Sequence, residues 1–155
     1  MRAILIAFAA FACFAPLSVT TARADDETGA WMYAYDTAAG MAVARQQDRR
    51  GDVAAMFSCR PPNGDLTIAD FELGRQRTQT ATVRIGDLSI TVPARNDRVN
   101  GDRALVIPLP QSPPVLAGVR EGAVMTISVG NRSHTLAQGA GQKLREVAYA
   151  CWPRD

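Results

Sequence analysis

His134 is the only histidine of the chain, so a Ser-His-Asp triad or a histidine-built metal site would have to use it. Ser133, next to it on an extended segment, would point to the opposite face. His134 therefore reads as a partly buried side chain near a sheet rim, sharing its face with Leu136. Asp65, Asp70 and Glu72 follow one another along a single segment. Two carboxylates flanking a bond are the apparatus of glycoside hydrolysis, but here they fall where the pattern turns polar, and they read as solvated sheet residues. No His or Cys cluster has metal-ligand spacing, and the Gly-Asp pairs at 51–52, 64–65, 86–87 and 101–102 are turn chemistry without calcium-loop spacing. The sequence thus assigns no catalytic residue, metal ligand or cofactor.

Arginine is the residue type with binding chemistry in this chain. Arg45, Arg49 and Arg50 fall in one polar segment, Arg75 and Arg77 in a second, and Arg95, Arg98 and Arg103 in a third. If the three met at one end of the fold, they would form a cationic rim able to hold carboxylates or phosphates bidentately. Asp48, Asp52, Asp97 and Asp102 among them could equally neutralise them locally. Arg49, Arg50, Arg95, Arg98 and Arg103 are the candidate binding residues, with Trp31 as a possible anchor for a partner.

The elements that must position these residues are mainly strands. Segments 30–35 (AWMYAY), 41–45 (MAVAR), 53–60 (VAAMFSCR), 66–73 (LTIADFEL), 80–85 (TATVRI), 88–94 (LSITVPA), 103–109 (RALVIPL), 123–129 and 132–137 have the alternation or β-branched content of strands. They are separated by turns such as Asn63-Gly64, Gly86-Asp87 and Gly130-Asn131. Residues 46–52 and 95–102 read as polar loops. A short helix is expected at 113–121, with Pro at its start and Gly122 as its stop. Over 142–152, Leu144, Val147, Ala148 and Cys151 follow the i, i+3, i+4, i+7 stripe of an amphipathic helix. The expectation is an antiparallel β-sandwich or flattened barrel of about nine short strands with a C-terminal helix.

Residues 1–24 read as a cleavable secretory signal: a basic start, an apolar run over 3–17, and Ala22 and Ala24 at small-residue positions before Asp25. Cys13 would suit a lipid anchor only if cleavage preceded it, and the flanking residues favour ordinary removal. One β-rich domain, 25–155, remains. Removing the segment takes Arg2 and Arg23 from the 17 basic residues and leaves as many basic as the 15 acidic ones, so the basic excess that nucleic acid or anionic lipid requires is absent. No later stretch is long and apolar enough for a membrane span. Cys59 and Cys151 are the two cysteines left, and in an oxidising compartment the simplest outcome is one disulfide clamping the last helix onto the sheet. A single Lys among those basic residues points to a GC-rich bacterial genome, and hence to the periplasm.

The early Trp31, the strand end Phe57-Ser58-Cys59-Arg60 followed by LTIADFEL, and His134-Thr135-Leu136-Ala137-x-Gly139 before a helix ending Ala150-Cys151-Trp152 resemble a group of small periplasmic proteins. These are the invasion-associated locus B family and the periplasmic accessory proteins of type VI secretion. The resemblance implies a β-sandwich whose last helix follows a phrase like F-x-L-x-G and ends near a Cys. The chain departs from it in carrying Thr135 and Leu136 where aromatic residues are expected, and in having one cysteine pair. The functional expectation is a non-enzymatic periplasmic accessory protein that binds another envelope or secreted protein. The alternative is an inhibitor of a hydrolase such as lysozyme, plugging an acidic cleft with a basic loop. A small-ligand binder or hydrolytic enzyme ranks third.

Overall fold

A computed structural model of the chain describes residues 31–62, 64–76, 80–110 and 123–152. The expected signal segment, the expected helix at 113–121 and Arg77 lie outside them. Ten antiparallel strands form two sheets: β1 (Trp31–Asp36), β2 (Met41–Gln47), β3 (Val53–Cys59), β4 (Leu66–Asp70), β5 (Thr80–Ile85), β6 (Leu88–Pro93), β7 (Arg95–Val99), β8 (Asp102–Leu109), β9 (Met125–Val129) and β10 (Arg132–Thr135). The larger sheet has the order β1-β2-β3-β4-β8-β7 and the smaller one β10-β9-β5-β6, with no closed barrel. The chain changes sheet three times, between β4 and β5, between β6 and β7, where one buried residue, Ala94, makes the crossing, and between β8 and β9. Among the described residues no helix is long and apolar enough to cross a membrane.

The tenth strand is β7, in the segment expected to be a loop. Its charged residues, RNDRV, obscure the hairpin, yet Asn100 and Gly101 take positive φ values of 54° and 95°, the geometry a tight turn between twisted strands requires. β7 sits at a sheet edge, where one side of the backbone is open and charge is tolerated. Pro108 of β8 lies past the end of the β7 ladder, so its missing N–H removes no pairing there.

The core lies between the sheets. Leu66 and Ile68 of β4, Phe57 of β3, Leu105 and Ile107 of β8, and Val83, Ile85, Met125 and Ile127 of the smaller sheet are fully buried. Helix α1 (Ala140–Cys151) closes one end over β1, β2 and β3 with Leu144, Val147, Ala148 and Cys151 inward, as the apolar stripe predicts. Cys59 and Cys151 are bridged, with Cα atoms 6.2 Å apart. On the outer face of the larger sheet, Val43, Met56, Ala69, Ala104 and Val106 form a second apolar cluster.

Gln46 departs from its expected place in a polar loop. It extends β2 and is buried, and its Oε1 accepts the Ala137 backbone N–H at 3.1 Å. The strand runs on because this amide satisfies a backbone donor beyond the end of β10, which would otherwise be buried alone.

Candidate functional site

The site starts from Asp70, the last residue of β4. Its parity with Leu66 and Ile68 points it inward, and it is fully buried, which corrects the expectation of a solvated carboxylate. Oδ1 accepts the Leu73 N–H at 2.8 Å and so starts a turn, which continues with Gln76 N–H to Leu73 O at 3.0 Å. Phe71 N–H donates to Ala54 O at 3.0 Å and ties the turn to β3. Gly74 then lies so close to β8 that a Cβ there would overlap the Arg103 carbonyl oxygen. Only glycine permits this approach, and the contact sets Arg75 beside the start of β8.

The β7–β8 hairpin supplies the other half. Arg98 and Arg103 are direct cross-strand partners, so two guanidinium side chains leave the same face of the hairpin side by side. Like charges in this relation destabilise a sheet. Arg98 Nη1 donates to Gly101 O at 2.9 Å, which aims its side chain along the turn. Arg75, Arg98 and Arg103 together line a concavity of about 830 Å³, with Phe71, Val53 and Val99 contributing apolar surface. A smaller hollow of about 370 Å³ shares the same three arginines and adds Asn96 and Asp97. Asp52 and Asp102 also line the larger hollow and offset part of the charge of its three guanidinium groups, which leaves it with a small net positive charge.

The three arginine segments therefore converge in part. Arg98 and Arg103 meet, and Arg75 joins them. Arg95 lies on the other face of β7, with its Nε 3.5 Å from Asp97 Oδ2. Arg49 and Arg50 belong to the β2–β3 turn, where Asp48 Oδ1 accepts the N–H groups of Arg50 and Asp52 at 2.8 and 2.9 Å; they do not line the hollow, although their neighbours Gly51 and Asp52 do. Arg45 projects on the outer face of the larger sheet, in a groove with Met41 and Met56 that Arg98 also lines, but it does not line the hollow shared by Arg75, Arg98 and Arg103. Trp31 stacks on Phe57 with ring centroids 4.5 Å apart and donates its Nε1–H to Ala137 O at 3.3 Å, so its ring serves the core.

Behind the turn lies a polar pair that joins the two sheets. His134 on β10 places Nδ1 2.7 Å from Asp70 Oδ2, and its side chain is 9% exposed. Nε2 faces Glu72 Oε1 at 3.6 Å, on the solvent side. Burial lowers the imidazole's proton affinity, but the hydrogen bond to Asp70, the charge of Asp70 and the charge of Glu72 outweigh it, and the pKa is raised above 6.5. Two signals for this pair were present in the sequence: Asp70 continues the inward parity of Leu66 and Ile68, and His134 shares that of Leu136. Among the described residues no group of three His, Cys, Asp or Glu side chains could hold a metal ion.

No family model, curated protein or solved structure matches the chain.

Proposed function

We propose that the protein is a non-enzymatic accessory protein of the bacterial periplasm that binds an acidic segment of another envelope or secreted protein in the arginine-lined hollow. The observation that carries this reading is the direct cross-strand pairing of Arg98 with Arg103, with Arg75 held beside them by the Gly74 contact. Two like charges in this register cost stability unless an anion lies between them, and guanidinium groups offer paired donors to a carboxylate or phosphate. The apolar surface that Phe71, Val53 and Val99 contribute to the lining suits a peptide better than a free inorganic ion.

A labelled peptide alternating Glu with apolar residues, followed by fluorescence anisotropy at low and physiological salt, tests the reading. Replacing Arg98 and Arg103 together by Ser should weaken binding at least tenfold and flatten its salt dependence. Arg95→Ser, on the other face of β7, should change neither. Equal affinity of the wild type and the double variant would refute the proposal.

Inhibition of a hydrolase is a narrower form of the same reading. It is favoured by the β7–β8 hairpin, which presents Arg98 at an exposed tip fit to enter an acidic cleft. Inhibition of lysozyme that is abolished by Arg98→Ser and retained by Arg95→Ser would select it.

A further inference from the structure

We infer that β1 is a pairing edge through which two copies of the chain join their larger sheets into one continuous antiparallel sheet. This does not depend on the arginine hollow. Among the described residues the two sheets end in four edge strands: β1, β7, β6 and β10. Natural sheets protect such edges with charge, proline, bulges or shortness. β7 carries Arg95, Asp97 and Arg98, β6 closes on Pro93, and β10 is only four residues long and begins with Arg132. β1 has none of these devices apart from one charge, Asp36, at its last position. It runs six residues in unbroken register with β2, contains no Lys, Arg or Pro, and exposes Met32 (51%), Tyr33 (40%) and Tyr35 (51%).

The occupant follows from the strand's own symmetry. Two copies related by a two-fold axis perpendicular to the sheet keep like face beside like face, so facing residues must have the same parity. Centring the axis on Ala34 sets Tyr33 of each copy opposite Tyr35 of the other, giving two aromatic cross-strand pairs on the face that carries α1. Met32 then faces Asp36, so the only charge in the strand never meets its own copy. β1 is thus complementary to itself in side chains as well as in backbone hydrogen bonding. Such an edge pairing buries a small area, and the expected dimer is reversible and concentration-dependent.

Sedimentation velocity of the mature chain over a wide concentration range should show a monomer–dimer equilibrium. Y33K/Y35K sets lysine opposite lysine twice and should abolish the dimer, with the thermal midpoint unchanged at dilutions where the wild type is monomeric. Y33K/Y35E sets a lysine of each copy opposite a glutamate of the other and should restore it. A34C in an otherwise unaltered chain should form a covalent dimer on mild oxidation, since position 34 meets itself across the axis, whereas D36C should not. A wild type that stays monomeric throughout, as it would if another segment of the chain or another protein occupies this edge, overturns the inference. So does a Y33K/Y35E variant that stays monomeric, or equal crosslinking of A34C and D36C.

Discussion

Replacing Asp70 by asparagine should reverse the sign of the protein's pH dependence of stability between pH ~5.5 and ~8.5. In the wild type, burial opposes the charged imidazole of His134, but the hydrogen bond to and the charge of Asp70, with help from Glu72, hold its pKa above the ordinary 6.5. The folded state therefore holds the proton more tightly than the unfolded chain. The pair's contribution is complete below pH 6.5 and is lost as pH rises through the folded-state value. The D70N amide keeps the geometry: its carbonyl oxygen can still accept from Leu73 N–H, and its NH₂ can donate to Nδ1 of a neutral imidazole. Both contributions of Asp70 to the raised pKa then vanish, leaving burial against a half-exposed Glu72 at 3.6 Å. The imidazole pKa falls below its ordinary value, and stability is now lost as pH drops through the depressed value. Exchanging a charge-assisted hydrogen bond for a neutral one should cost about 1–1.5 kcal/mol near pH ~6, with the gap narrowing toward pH ~8.5. Urea unfolding across this range measures both curves. The attribution is clean because the chain has a single histidine, and other groups cancel in the difference between variants. Parallel curves for wild type and D70N would refute the reasoning.

Three further perturbations follow from the packing. Opening the bridge with Cys151→Ser releases a constraint over a sequence separation of 92 residues, worth about 4.6 kcal/mol on the chain-entropy relation, so the urea midpoint should fall steeply; an unchanged midpoint would mean that the bridge does not form in solution. Gln46→Leu strands the Ala137 N–H and should cost about 1–3 kcal/mol by the same measurement. Gly74→Ala drives a methyl group into the backbone of Arg103; it should cost about 1–3 kcal/mol and weaken the acidic peptide by moving Arg75, an effect that wild-type affinity in G74A would contradict.

Much of the fold is legible in the residues because alternation and turn chemistry agree. β5 and β6 alternate cleanly around Gly86-Asp87, and the stripe of Leu144, Val147, Ala148 and Cys151 announces both the helix and the direction of its thiol. β7 is illegible because its residues are exposed on both faces, so it shows no apolar alternation, and a charged strand resembles a loop. Asp70 and Gln46 were hidden by polarity: strand parity aims Asp70 inward, but what allows a polar residue to be buried there is a partner distant in sequence. Those partners are His134, 64 residues away, and the Ala137 amide, 91 residues away. The arginines were visible as a type, but not their sorting. Strand parity separates Arg95 from Arg98, and the Gly74 contact with β8 brings in Arg75, which proximity in sequence does not reveal.

The bridge also divides the chain in time. Cys59 emerges from synthesis with β3, yet its partner follows only after β4 to β10 and nearly all of α1 have been made. The covalent ring encloses those seven strands, while the β1–β2 hairpin lies outside it. Closure thus acts as a completeness check on the polypeptide: a chain interrupted anywhere before Cys151 leaves Cys59 without this partner and cannot form the ring. In a finished molecule the hairpin can peel away and re-form without cutting the ring, so the edge carrying Met32, Tyr33 and Tyr35 can yield locally while the rest of the sandwich stays tied.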